Sequence, residues 1–183
     1  MRIKPEHSPF LANKIAIDLI NAPFVKLLKG KDAVVEKVKE IIDEHLEVEK
    51  ELDNKVNEII DENYDDIELQ NIDERQLFFM IKKKLAPEFG IIMDYDERYN
   101  DLSHKILDEL YENYLIEYEA NENQVKNVIF KAFRSFANIY NEVDDIVRER
   151  IERMKKRYIP GSEEYYYIYE KLMKEELRRR GVL

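Results

Sequence analysis

Two pairs of side chains stand at a spacing that brings metal-ligating groups onto one helix face: His45 with Glu49, and His104 with Asp108. Residues four apart are neighbours on a helix surface, so an imidazole and a carboxylate at that spacing make part of a metal site. His45 falls inside an apolar run, where a packed, satisfied histidine is the commoner outcome. Carboxylates gather at Glu47, Glu49, Glu51 and Asp53, and again at Asp61, Glu62, Asp65, Asp66 and Glu68. Such runs suggest magnesium or an acid–base pair, but residues two apart on a helix point to different faces, so the first run reads as a solvated surface. No residue emerges as catalytic, cofactor-binding or metal-ligating.

Positive charge is more unevenly placed. Residues 147 to 180 carry 11 Lys and Arg against 7 Asp and Glu, whereas residues 92 to 146 carry 5 against 13. The cations are Arg148, Arg150, Arg153, Lys155, Lys156 and Arg157, joined at the terminus by Arg178, Arg179 and Arg180, with tyrosines at 158 and 165 to 167 able to stack on bases. An ordinary account is that cations near helix C-termini complement the helix dipole, as Lys82, Lys83 and Lys84 would do. A formal net charge of -10 opposes loose binding to nucleic acid. A docking patch for an acidic protein partner explains the cluster equally well. Phe78, Phe79, Met80, Phe130, Phe133, Phe136 and the Tyr165 group read as core and interface fillers rather than a cofactor pocket.

Missing residue types exclude much other chemistry. Cysteine is absent, which removes thiol nucleophiles, disulfides, thiolate zinc sites and iron–sulfur clusters. The four glycines, Gly30, Gly90, Gly161 and Gly181, stand too far apart for a phosphate-cradling loop. No apolar run approaches the ~20 residues that span a bilayer, and the amino terminus lacks the apolar stretch of a signal peptide, so a soluble cytoplasmic protein without a membrane role is expected. The chain of 183 residues is long enough for a real core.

The elements that would position these groups occur twice. At an offset of 91, Leu11, Lys14, Ile15, Asp18 and Leu19 fall on Leu102, Lys105, Ile106, Glu109 and Leu110, without a gap. Further on, Val34 meets Val125, Val56 meets Val147 and Ile60 meets Ile151, while Gly90 falls on Gly181. His45 then corresponds to Phe136, and His104 and Asp108 to Asn13 and Ile17, which weakens both metal pairs. Units of residues 1–92 and 93–183 follow, with a joint between Gly90 and Asp96.

Each unit reads as a short helix, a short extended piece, a long helix, a turn and a short helix. Leu11, Ile15, Leu19 and Ile20 make a helical face that stops before Pro23. Phe24 to Leu28 and Leu115 to Glu119 carry strand character and would pair about a pseudo-twofold as a small antiparallel ribbon. Asp32 is placed to cap the first long helix, whose apolar seam is Val34, Val38, Ile41, His45, Val48, Leu52, Val56 and Ile59 or Ile60. The second seam is Val125, Ile129, Ala132, Phe136, Ile139, Val143, Val147, Ile151 and Met154. Asp73 with Gln76, and Ser162, open the last helix of each unit. The expected fold is an all-α, pseudo-twofold bundle of tandem-duplicated units, with two long antiparallel helices packed together as its coiled-coil-like spine.

The stretches Leu11-Ala-Asn-Lys-Ile-Ala-Ile-Asp-Leu19, Glu49-Lys-Glu-Leu-Asp-Asn-Lys-Val56 and Arg75-Gln-Leu-Phe-Phe-Met-Ile-Lys-Lys-Lys-Leu-Ala86 resemble the bacterial family called domain of unknown function 507. The resemblance is good over residues 1–92 and weaker over 93–183, which looks like a drifted second copy. It implies bacterial origin and a helical fold, and it implies a fused pseudo-dimer, acting as a monomer or as a homodimer. The family carries no assigned activity, so no site residue transfers. The leading expectation is a non-catalytic interaction or scaffold module with an unknown protein partner. A nucleic-acid-binding accessory protein using the arginine-rich cluster comes second, and an enzyme third, without a cofactor.

Overall fold

Apolar residues spaced by three and four wind into helices, and the chain breaks where proline and glycine fall. A computed structural model describes residues 3–64 and 73–180. A 3-10 turn at Pro5–His7 leads into α1 (Ser8–Ile20), followed by β1 (Val25–Leu27), α2 (Gly30–Glu62) and α3 (Glu74–Leu85). A second 3-10 turn, Ala86–Phe89, precedes α4 (Tyr95–Glu112), β2 (Ile116–Tyr118), α5 (Glu122–Glu152) and α6 (Glu163–Arg179). The expected all-α bundle with a minor ribbon is what forms. Asp65, Asp66, Glu68 and the terminal Gly181-Val182-Leu183 lie outside the described residues.

The helix ends follow local chemistry. Asp73 accepts hydrogen bonds from the Arg75 and Gln76 backbone N–H groups, and Ser162 accepts from that of Tyr165. Asn121 and Asp94 cap α5 and α4 in the same way. At Gly90 the backbone turns left-handed, φ 65°, which closes the 3-10 turn and stops the first half there. Asp32 is a correction: α2 begins at Gly30, which places this carboxylate inside the first turn rather than at the cap. It still faces the positive end of the helix dipole.

β1 and β2 pair antiparallel, with Val25 opposite Tyr118, Lys26 opposite Glu117 and Leu27 opposite Ile116. Lys26 and Glu117 are 91 residues apart and join through a 2.6 Å ion pair. On either side, the Leu28 N–H donates to the Leu115 carbonyl and the Glu119 N–H to that of Phe24, at 2.8 and 3.0 Å. Those four positions exchange with one another under a shift of 91, so the ribbon is symmetric about a local twofold through its central pair. Every helix after Asp94 begins and ends within four residues of where that shift carries its counterpart.

The long helices do not form the direct spine expected. α2 and α5 both pack on α1 and on α4, which stand between them, rather than on each other. The central core accordingly draws on both halves: Leu11, Ile15 and Leu19 of α1 and Ile106, Leu107 and Leu110 of α4 meet Val38 and Ile41 of α2 and Phe133 and Phe136 of α5. A single seam per helix cannot explain this, because Ile42 and Leu46 on α2 and Phe133 and Ala137 on α5 are buried too, which widens each stripe to cover two neighbours. Ile20 is exposed, since α1 has already turned its buried face inward at Leu19.

Beyond the centre, the C-terminal half of each long helix continues as an arm. Leu52, Val56 and Ile60 pack with Leu77, Phe78 and Ile81 of α3, and Val143, Val147 and Ile151 pack with Leu172, Met173 and Leu177 of α6. Phe79, Met80, Tyr166 and Tyr167, read from sequence as fillers, face outward on these arms.

Candidate functional site

Where each arm meets the central core, a residue from the opposite half reaches in. In the first arm it is Arg98, at the start of α4; in the second it is His7, just before α1. These two positions are 91 apart, and so are the residues that receive them. Glu49, Lys82, His45 and Asp53 line the first junction, and Tyr140, Met173, Phe136 and Asp144 occupy the matching places in the second. The same frame therefore holds a charged cluster on one side and an aromatic one on the other.

Glu49, Lys82 and Arg98 are 2%, 5% and 5% exposed. Glu49 Oε1 takes the Lys82 ammonium at 3.0 Å and the Arg98 guanidinium at 3.1 Å, while Lys82 Nζ also reaches Asp53 Oδ1 at 2.7 Å. Arg98 Nε donates to the Ile92 carbonyl, and the guanidinium lies 5.2 Å from the centre of the Tyr95 ring. Charges this deep persist only when paired. Two expectations are corrected here: Glu49 and Asp53 do not belong to a solvated acidic face, and Lys82 binds carboxylates of another helix rather than complementing the dipole of its own.

The two sequence-derived metal pairs receive no support from this geometry. Glu49 is engaged by cations, and His45 Nε2 is buried without a hydrogen-bond partner. Among the described residues no three His, Asp or Glu side chains gather as a metal site. His104 is half-buried on α4, and Asp108 is exposed.

The second junction opens into a cleft of about 530 Å³. Phe10, Tyr140, Tyr169, Met173 and Leu177 wall it, and His7, 3% exposed, lies against it. The His7 ring sits 4.6 Å from that of Tyr140 and 5.7 Å from that of Phe136. Its Nδ1 accepts from the Lys4 backbone N–H at 3.2 Å. Tyr169 donates its phenol to Asp144, whose other oxygen holds Arg148 at 2.9 Å. Lys4, Lys174 and Arg178 stand with Glu6 and Glu170 among the residues that line the cleft. Neither His7 nor the cleft was singled out from sequence, because the groups that compose it come from residues 4 to 10 and from residues of α5 and α6 at least 130 positions further on.

The cationic cluster is dispersed rather than gathered. Arg148 to Arg157 occupy the end of α5 and the turn after it, whereas Arg178 to Arg180 lie at the far end of α6, a helix of 17 residues and so about 25 Å long. Arg148, Arg150, Arg153 and Lys156 pair with Asp144, Glu175, Glu149 and Glu164, and Arg179 and Arg180 pair with Glu176. Arg180 also holds Glu142 at 2.6 Å. Among the described residues, Lys155, Arg157 and Arg178 make no ion pair.

Removing one member of the buried network leaves the others uncompensated, whereas replacing it whole by apolar groups does not. Glu49→Ala is expected to cost about 3 kcal/mol of unfolding free energy in urea. The triple variant Glu49→Tyr, Lys82→Met, Arg98→His, which transplants the second junction's residues, is expected to return within about 1 kcal/mol of the parent. A Glu49→Ala protein as stable as the parent contradicts the network's role.

Burial lowers the pKa of both junction imidazoles, His7 to about 4, and Arg98 nearby lowers His45 further. A histidine whose folded pKa lies below its unfolded value of 6.5 binds fewer protons when folded, so its stabilising contribution is complete above that pH and lost as pH falls towards 4. Unfolding midpoints in urea should therefore drop across this window. His7→Phe should make the drop shallower, and an unchanged slope in that variant contradicts the assignment.

No curated protein matches the chain. The family model described as a protein of unknown function, DUF507, matches residues 1–182, running through the half where the resemblance read from sequence is weaker, and the chain belongs to that family.

Proposed function

We propose that the protein is a non-catalytic interaction module that docks an acidic protein surface on the tip of its second arm. The observation that carries this reading is the turn between α5 and α6. There Ile159 is 74% exposed next to Lys155 and Arg157, which make no ion pair among the described residues, and near the start of α6 Tyr167 is 72% exposed with Tyr166 beside it. Exposed aromatic and aliphatic anchors beside unpaired positive charge make a surface suited to an acidic partner with an apolar centre. Against a whole-chain charge of -10, such a turn also gives an approaching acidic partner one favoured direction.

The exposed tyrosines favour a second reading, in which the same turn stacks bases of a single strand. Neutralisation of most of the arginine cluster by neighbouring carboxylates weighs against it, because counterion release needs free cations. The wider reading is of a bacterial cytoplasmic protein that arose by internal duplication, supported by the offset of 91 that relates its elements. No described helix is long and apolar enough to cross a membrane.

Tagged protein drawn through native lysate with and without nuclease separates the two. A protein retained after nuclease treatment, lost with Ile159→Asp and Tyr167→Ala together, and kept by Phe79→Ala on the other arm is the expected result. Retention that disappears with nuclease assigns the turn to nucleic acid. Retention indifferent to the turn variants contradicts both readings.

A further inference from the structure

We infer that the cleft between the 3-10 turn, α1, α5 and α6 is a binding site for a small aromatic monocarboxylate. The first ground is the contrast between the two junctions. At the first, Arg98 fills the space and is locked by Glu49 and the Ile92 carbonyl. At the second, the shorter His7 stands in its place, with Tyr140 and Met173 for Glu49 and Lys82, and a cleft of about 530 Å³ remains. That volume lies within the range of small-molecule sites.

The second ground is a donor, carried by a buried side chain, without a protein acceptor among the described residues. His7 is 3% exposed and neutral, and its Nδ1 is occupied as an acceptor by the Lys4 N–H, so the ring proton resides on Nε2. No described residue accepts a hydrogen bond from that nitrogen, and no described residue bonds the Tyr140 hydroxyl beside it. Two polar groups set among the aromatic and aliphatic side chains of the lining fix a ligand's orientation rather than drive its burial. Both can bond an oxygen of a molecule seated in the cleft.

Shape and charge narrow the class. The walls include the aromatic rings of Phe10, Tyr140 and Tyr169 with the adaptable Met173, which favour a flat aromatic body over a flexible chain. Lys174 and Arg178, four residues apart on α6, line the same cleft and make no ion pair among the described residues, so they are placed for one anionic group. Glu6 and Glu170 on the same lining disfavour a second negative charge.

Isothermal titration of the full chain with 1-naphthylacetate, and separately with decanoate, tests this. The expected result is saturable one-to-one binding of the naphthyl acid, at least tenfold tighter than decanoate. Affinity should fall at least tenfold in the rim variant Lys174→Glu, Arg178→Glu, and also in His7→Phe, which keeps the ring packing and removes the donor. Arg153→Glu, outside the cleft, should bind as the parent does. No saturable binding at millimolar ligand, binding that the rim variant leaves unchanged, or decanoate as the tighter ligand overturns the inference. The rim variant alters exposed side chains only, so it keeps the test valid if His7→Phe fails to fold.

Discussion

An apolar stripe running along a helix of some thirty residues has to be covered along its whole length, because helical propensity alone does not hold such a helix together in water. α2 and α5 both carry such a stripe. Near the ribbon they share one cover, the short helices α1 and α4, and beyond it each is covered by a helix of its own, α3 or α6. Everything else follows from this division. The shared cover makes one central core out of both halves, the private covers make two arms, and the places where shared gives way to private are the two junctions.

Sharing also explains why the junctions are built from both halves. α1 begins against α5 and α4 begins against α2, so a residue at the start of each short helix lands on the other half's long helix. His7 and Arg98 are those residues. Once the frame brings them there, charge and size decide the outcome. Arg98 requires an anion in a dry place, and Glu49 supplies it, with Lys82 and Asp53 extending the network. His7, neutral and compact, asks for no countercharge and leaves room. Two equivalent positions in one fold thus become a locked corner and an open one.

Much of this frame was legible in the residues. The three-and-four spacing located the helices, Gly90 marked the joint, Asp73 and Ser162 marked helix starts, and the alternation in Leu115 to Glu119 identified a strand and its partner. Each of those signals is local, carried by residues within a few positions of one another. The junctions are not local: Lys82 and Glu49 are 33 positions apart. A lone lysine or glutamate reads as surface because such residues are almost never fully buried without a partner, and sequence offers no sign of which partner waits. The packing of α2 and α5 on short helices escaped for a related reason. Periodicity tells which face is buried, and only the width of the stripe, visible at Ile42, Leu46, Phe133 and Ala137, tells that two neighbours cover it.

The central claim is that residues of both halves form a single cooperative core. Native-state hydrogen exchange of the full chain at increasing urea, read by mass spectrometry on peptides, measures it most directly. Peptides from α1, α4 and the ribbon-proximal parts of α2 and α5 should lose protection together, in one unfolding event with one urea dependence, while α3 and α6 exchange earlier. Separate events for residues before and after Gly90, with different urea dependences, would contradict a shared core.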